Sequence, residues 1–117
     1  MTALTFTIQV PDDHPSLAGH FPGAPIVPGV VLLDLIVGQV QASLAASVYL
    51  SAMPSAKFLR AVLPGQALAV SCTIENSAVQ TWRVTTRATR DAWAVLEATF
   101  VLAEQSSTES IQDFKHD

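Results

Sequence analysis

Residues 19–29 read Gly-His-Phe-Pro-Gly-Ala-Pro-Ile-Val-Pro-Gly, and a largely apolar segment follows them. The glycines permit sharp turns and the close approach of other groups, and a proline suits the first turn of a helix. From Gly29 to about Ser47 there is no proline, and apolar residues dominate every helical face. This pattern predicts a long helix that is buried on all sides and forms the centre of the fold.

Alternating apolar and polar residues on both sides of this segment predict an antiparallel sheet. The predicted strands are residues 4–10, 56–63, 67–75, 79–89 and a last strand with its inner face from Ala94 to Leu102. The break before the second strand falls at Met53-Pro54. We expect a single α+β domain over residues 1–104, with one helix wrapped by about five strands, and a disordered polar tail over 105–117.

The composition limits the class of protein. Half of the 117 residues are hydrophobic and 14% are charged, which favours a homo-oligomer over a well-packed monomer. The single cysteine, Cys72, excludes a disulfide framework and a thiol metal site. The N-terminus does not resemble a signal peptide, and no segment is apolar enough to span a membrane, so a cytoplasmic location is expected.

The charges are unevenly distributed. The net charge of −4 argues against a nucleic-acid partner. Residues 1–56 contain no lysine or arginine, whereas residues 57–90 contain five cations and one acid. This basic segment is suited to an acidic protein or a phosphate group.

Asp34 is the first candidate for chemistry, because between Val30 and Val40 only Asp34 and Gln39 are polar. Aspartate has a poor helix propensity, and burying its charge is costly. A carboxyl in apolar surroundings tends to keep its proton near neutral pH and is then suited to act as a general acid. A purely structural role, such as bonding to the backbone, is the alternative.

His20 is the second candidate, because glycines in residues 19–23 allow another group to approach it closely. A histidine base and a carboxyl acid in different environments suit proton abstraction and donation, although a structural histidine is the alternative. Backbone N–H groups at Gly29 and Val30, with the helix dipole, would favour negative charge on a carbonyl oxygen. Together these groups describe β-elimination next to a carbonyl, while hydration and thioester hydrolysis stay open.

The segments 19–23 and 25–31, with an acid at position 34, resemble the (3R)-hydroxyacyl-[acyl-carrier-protein] dehydratases of the hotdog fold. The spacing of fourteen residues between His20 and Asp34 matches that family, and residues 57–65 resemble its strand after the central helix. The likeness covers about residues 4–103. It implies a helix wrapped by an antiparallel sheet, and homodimers in which the two sheets are continuous.

The resemblance also implies a hydro-lyase activity that forms trans-2-enoyl thioesters. His20 would remove the C2 proton, and Asp34 of the partner subunit would protonate the leaving 3-hydroxyl. The N–H of Gly29 would polarise the thioester carbonyl, with Phe21, Pro28 and Val30 binding the substrate. The acyl group would arrive on the phosphopantetheine arm of acyl carrier protein, and no metal or organic cofactor is implied.

Two features differ from the housekeeping dehydratases. The acid is aspartate, as in the branch that also isomerises the double bond, and the segment before His20 is short. We expect a specialised dehydratase, for example in pigment or polyene lipid synthesis, and the aspartate by itself does not lead us to predict isomerase activity. Arg83 and Arg87 share one strand face and are predicted to dock the acidic carrier beside the tunnel mouth, although a solvated strand face is the alternative. A hotdog thioesterase and a non-catalytic acyl-binding subunit are the competing functions.

Overall fold

The part of the chain that the structure describes forms one helix and one five-stranded sheet. The structure, a computed structural model, describes residues 1–12 and 26–105. Its elements are β1 (Thr2–Gln9), α1 (Gly29–Ser43), β2 (Val48–Phe58), β3 (Ala67–Ala78), β4 (Thr81–Arg90) and β5 (Trp93–Glu104). The strands form a single antiparallel sheet in the order β1-β3-β4-β5-β2, so β1 and β2 are its edges. The α+β architecture and the five strands are confirmed.

The core lies between one face of the sheet and one face of α1. The period-2 alternation of the strands directs their apolar side chains to the same face, as predicted. The helix contributes side chains three and four positions apart, which lie on one face of a helix. The largest fully buried side chains are Phe100, Ile36, Leu68, Leu96, Leu102, Val10, Val40, Val62, Val70, Val84 and Val95.

Cys72 belongs to this core. Its thiol donates a hydrogen bond to the Thr86 hydroxyl at 3.2 Å across the β3–β4 pair, where the two residues are register partners. Burial raises the pKa of the Cys72 thiol, and the hydrogen bond to Thr86 offsets part of that rise. Since a buried thiol with a raised pKa is a poor nucleophile, Cys72 has a structural role.

The helix is shorter and less enclosed than its composition indicates. It ends at Ser43, and its buried residues are Leu32, Leu33, Ile36, Val37 and Val40. The opposite face is open: Val30 is 71% exposed, and Asp34, Gly38 and Gln39 are also exposed. The prediction of a helix buried on every side is therefore wrong for a single chain, because the sheet packs against one side only. In the part of the chain that the structure describes, no helix has the length and apolar character to cross a bilayer.

Strand β2 also differs from the prediction. It runs over Val48–Phe58 and includes Pro54, where a break was expected, and the predicted strand over residues 56–63 leaves the sheet after Phe58. Proline lacks an N–H donor and is tolerated at sheet edges and bulges. Strand β2 is an edge strand, and its pairing with β5 shifts register between Ala52 and Ser55, on either side of Pro54.

The first residue of the predicted tail is tied to the sheet. The Gln105 N–H donates to the Ser47 carbonyl at 3.1 Å, while residues 106–117 lie outside the described part of the chain. The prediction of a disordered tail beyond that point stays a prediction.

Gly38 provides a test of the open helix face. It lies inside α1, and a Cβ built there would meet no atom within 4 Å. Glycine in an exposed helix interior is less stable than alanine by about 1 kcal/mol. We therefore expect Gly38→Ala to raise the free energy of unfolding by up to about 1 kcal/mol, measured by urea denaturation. A loss of stability instead would mean that another chain packs closely against Gly38.

Candidate active site

The N-terminus of α1 is held between the core and the end of β2. The Val27 N–H donates to the Val62 carbonyl at 2.8 Å, which fixes the segment entering the helix. The N-cap residue is Pro28, whose side chain makes no capping hydrogen bond, and the first turn contains no acidic residue. The backbone amides of the first turn thus receive no side-chain acceptor from the cap, and the helix dipole adds partial positive charge there. This end of the helix is suited to polarising a carbonyl oxygen.

Phe58 covers the first residue of the helix. A Cβ built at Gly29 would lie 2.6 Å from Cδ1 and 2.8 Å from Cζ of the Phe58 ring, closer than atoms can pack. A side chain at position 29 would therefore force the Phe58 ring to move. A cavity of about 280 Å³ opens beside it, lined by Ile26, Val27, Gly29, Leu32 and the run from Phe58 to Val62. We name it the Gly29 cavity.

A double-mutant cycle tests the contact between Gly29 and Phe58. We expect Gly29→Ala to lower the free energy of unfolding by about 1 kcal/mol, since overpacking typically costs about 1–3 kcal/mol and the half-exposed ring can rotate away. In a Phe58→Ala background the same substitution should cost less, because the overlapping ring is gone. Thermal or urea denaturation of the four proteins measures the coupling. Equal costs in both backgrounds would show that the ring does not restrict position 29.

Asp34 lies in a second cavity, of about 360 Å³. Its lining combines one face of α1 with two side chains of β2: Val30, Leu33, Asp34, Val37, Gln41, Leu50 and Met53. Among the described residues that line it, Asp34 is the only one with an ionisable side chain. The Gln41 side chain also donates to the Val48 carbonyl at 3.1 Å and joins the end of the helix to the start of β2. We name this the Asp34 cavity.

The two cavities are separate within one chain. Among residues 1–12 and 26–105, the lining of the Gly29 cavity and that of the Asp34 cavity have no residue in common. Asp34 is exposed in the single chain, so the described residues alone do not supply the apolar surroundings expected around its carboxyl. A single chain therefore presents the amide of Gly29 and the carboxyl of Asp34 to different spaces.

The predicted site residues fall into three groups. Pro28, Gly29, Val30 and Asp34 all lie at the start of α1, with Val30 and Asp34 in the same cavity. His20 and Phe21 lie outside the described residues, so their roles stay predictions. Among the residues that the structure describes, no three potential metal ligands come together.

Arg83 and Arg87 form the third group and lie on the outer face of the sheet. Their strand neighbours Val84 and Thr86 point into the core, so the two arginines point away from the helix. Arg87 is 3.5 Å from the Glu97 carboxylate, and both side chains are largely exposed. Neither arginine is in the lining of the Gly29 cavity or of the Asp34 cavity, and the docking role predicted for the pair stays a prediction.

Several residues at the two cavities were missed from the sequence. Phe58 covers Gly29, and Leu50 and Met53 line the Asp34 cavity, yet the strand that carries the latter two was not predicted. Arg60 lines the Gly29 cavity, and its guanidinium lies 4.7 Å from the ring centroid of Trp93. The available sequence signal for β2 was the run of β-branched, aromatic and aliphatic residues at its start, Val48-Tyr49-Leu50.

A single helix packed on a five-stranded antiparallel sheet in this strand order is the hotdog fold. Solved structures with this architecture include the dehydratase heterocomplex ApeI:P from Xenorhabdus doucetiae, with a TM-score of 0.73 and 20% identity, covering 87% of this chain and 88% of that one. They also include a mutant form of the fluoroacetyl-CoA-specific thioesterase FlK in complex with fluoroacetate and CoA. That structure has a TM-score of 0.75 and 12% identity over 93% of this chain and 96% of that one.

The chain belongs to the ApeI-like dehydratase family, whose model matches residues 1–112. It is also similar to 3-hydroxyacyl-[acyl-carrier-protein] dehydratases FabZ from two strains of Cereibacter sphaeroides, at 33% identity over 97 residues and 36% over 98 residues. Each alignment covers 75% of this chain and 63% of the relative, so the chain spans somewhat less than two thirds of the length of these relatives. The resemblance to the hotdog dehydratases is confirmed at the level of the family.

Proposed function

We propose that this protein removes water from 3-hydroxyacyl thioesters carried on acyl carrier protein and forms trans-2-enoyl thioesters. The observation that carries the proposal is the pair of cavities at the start of α1: the Gly29 backbone lines one, and the Asp34 carboxyl is the only ionisable group among the described residues that line the other. An amide dipole and a carboxyl acid are two of the groups that an elimination next to a thioester requires. Family membership supports the reaction class.

Each group has one role in the proposed reaction. His20 takes the proton from C2, and the Gly29 N–H stabilises the negative charge that develops on the thioester oxygen. The electron pair of the broken C2–H bond forms the C2–C3 double bond, and the C3–O bond breaks. Asp34 donates a proton to the departing hydroxyl, which leaves as water. We propose no metal or organic cofactor, since these proton transfers require only the two side chains and the amide.

The separation of the two cavities supports a site shared between two chains. Groups that act on one substrate must converge within a few ångströms. Within one chain Gly29 and Asp34 face different cavities, so we propose that the amide of one subunit works with Asp34 of the other. This arrangement places two equivalent sites in a two-fold symmetric dimer.

The edge strand β2 supports the same assembly. Every residue of β2 except Val48 and Met53 is exposed in the single chain, including the apolar side chains of Tyr49, Leu50 and Phe58. An exposed apolar edge strand is a template for pairing with another chain. We propose that two copies pair along β2, which extends the sheet and brings the partner chain over Val30 and Asp34 on α1. The Xenorhabdus structure is a heterocomplex. The mass of the purified assembly therefore has to be measured, because it distinguishes a homodimer from a complex with a different chain.

The proposal is tested with purified protein and a 3-hydroxyacyl thioester of acyl carrier protein. The expected product is the 2-enoyl thioester, detected by its absorbance and by the mass of one lost water. Release of free thiol without an enoyl product would instead indicate a thioesterase. Tight binding of the acylated carrier with no turnover at any chain length would indicate a non-catalytic acyl-binding subunit. Comparing short, medium and polyene-like acyl chains tests the proposed specialised role, and cell fractionation tests the proposed cytoplasmic location.

A further inference from the structure

A mixed apolar and basic surface lies beside the Gly29 cavity. It consists of Leu59, Arg60 and Trp93, and we name it the Arg60–Trp93 patch. Trp93 is 60% exposed and Leu59 is 47% exposed, although both are large apolar side chains. Leu59 and Arg60 also line the Gly29 cavity, so the patch is continuous with its opening.

Two contacts hold the arginine in place. The Arg60 guanidinium stacks on the Trp93 ring at 4.7 Å from the ring centroid, and Nη1 donates to the Ala94 carbonyl. The Leu59 N–H donates to the Val95 carbonyl at 2.8 Å, which ties the backbone of the segment to β5. A surface arginine fixed in this way loses little conformational entropy when a ligand binds.

The charge of Arg60 is available to a partner. Within residues 1–12 and 26–105, Arg60 forms no ion pair, whereas Arg87 is paired with Glu97. A second arginine, Arg90, supports the same segment, because its Nη1 donates to the Ala61 carbonyl at 2.8 Å. The chain as a whole carries a net charge of −4, so the positive charges of Arg60 and Arg90 stand out in an otherwise acidic chain. An exposed tryptophan beside an arginine is also the composition typical of binding hot spots.

We propose that the Arg60–Trp93 patch is the docking surface for the acidic acyl carrier protein. The proposal rests on the dehydratase function above, which requires a carrier to deliver its thioester to the Gly29 amide. A carrier bound at the patch lies at the opening of that cavity, and its carboxylates meet Arg60 while its apolar side chains cover Leu59 and Trp93. Arg83 and Arg87, on the outer face of the sheet, do not have this position.

The test compares two forms of the same substrate in Arg60→Glu and in a matched control, Arg83→Glu. Both changes reverse one exposed charge. For Arg60→Glu we expect kcat/KM with the carrier-bound thioester to fall at least about tenfold more than kcat/KM with the free pantetheine thioester, which meets Arg60 only as a lining residue of the Gly29 cavity. Arg83→Glu should leave both values unchanged. The carrier-dependent rate of the wild type should also fall with added salt, because salt screens surface charges.

Direct binding separates this proposal from the proposed reaction. The affinity of the protein for purified acyl carrier protein, measured by titration calorimetry, should weaken in Arg60→Glu and Trp93→Ala and not in Arg83→Glu, whether or not any turnover occurs. Arg60→Gln serves in place of Arg60→Glu if the latter melts early, since Arg60 also supports β5 through Ala94.

Three outcomes would overturn the docking proposal. Equal losses with the carrier-bound and the free thioester would place Arg60 in the reaction site. A change of oligomeric state in Arg60→Glu, seen by light scattering, would make the patch a contact between copies. If Arg83→Glu weakens carrier binding and Arg60→Glu leaves it unchanged, the docking surface lies on the outer face of the sheet.

Discussion

Asp34→Asn is expected to lower kcat for 3-hydroxyacyl thioester dehydration by about 10²- to 10⁴-fold, the usual effect of removing a general acid. The substitution keeps the size of the side chain and removes only its ability to donate the proton to the leaving hydroxyl. Because Asp34 is exposed in the single chain and makes no contact required by the core, the fold should be unaffected. The measurement is enoyl formation under single-turnover conditions, with circular dichroism and the melting temperature as checks on folding.

Asp91→Asn is the matched control for this result. Asp91 lies in the turn between β4 and β5, far along the chain from the cavity residues, and has a positive φ of 57° that asparagine also adopts readily. The Asp91→Asn variant carries the same carboxyl-to-amide change, and its rate of enoyl formation should stay at the wild-type level. Asp34→Glu keeps the acid on a longer side chain and should retain part of the activity. A wild-type rate in Asp34→Asn would rule out the acid role.

Strands with one buried face were predictable from the sequence. In β3, β4 and β5 the residue alternation is a local property, and burial follows it: Leu68, Val70 and Cys72 are buried while Ala69 and Ser71 are exposed. The sequence also located the start of α1 at Gly29, because Pro28 marks it. These elements interact with the core on one side only, so local pattern and final environment agree.

The sequence prediction misplaced strand β2 because the position of this strand depends on pairing with residues distant in the chain. Its side chains alternate poorly, it contains Pro54, and nearly all of it is exposed in the single chain. An edge strand tolerates such a sequence, since only one side of its backbone pairs. Its position next to β5 depends on the order of the whole sheet, which no segment of sequence specifies.

The candidate site was predicted in part for a similar reason. Asp34 was identified because it is a lone acid in an apolar helix, but the sequence did not show which face of α1 the sheet leaves open. The stacking of Arg60 on Trp93 joins residues far apart in the chain and depends on the segment after β2 meeting the start of β5. Contacts of this kind become visible only when the strand order is known.

Mixed dimers that combine one His20→Ala chain with one Asp34→Asn chain are expected to recover activity that neither variant has alone. If the site is shared, a mixed dimer contains one intact site, formed by His20 of one chain and Asp34 of the other, and one site that lacks both groups. Its rate per dimer should therefore be roughly half that of the wild type. If His20 and Asp34 act within one chain, every site lacks one group and the mixed dimer stays inactive.

The experiment requires dimers of defined composition. The two variants carry different affinity tags, are produced together, and are purified in succession on both tags, so that only mixed dimers are assayed. Preparations of each variant alone, carried through the same steps, set the background, and a mixed dimer of wild-type chains sets the full rate. Recovery would establish that an isolated chain holds half of each of two sites, as the separation of the Gly29 and Asp34 cavities indicates. A mixed dimer no faster than its parents would place the reaction within a single chain and refute the shared site.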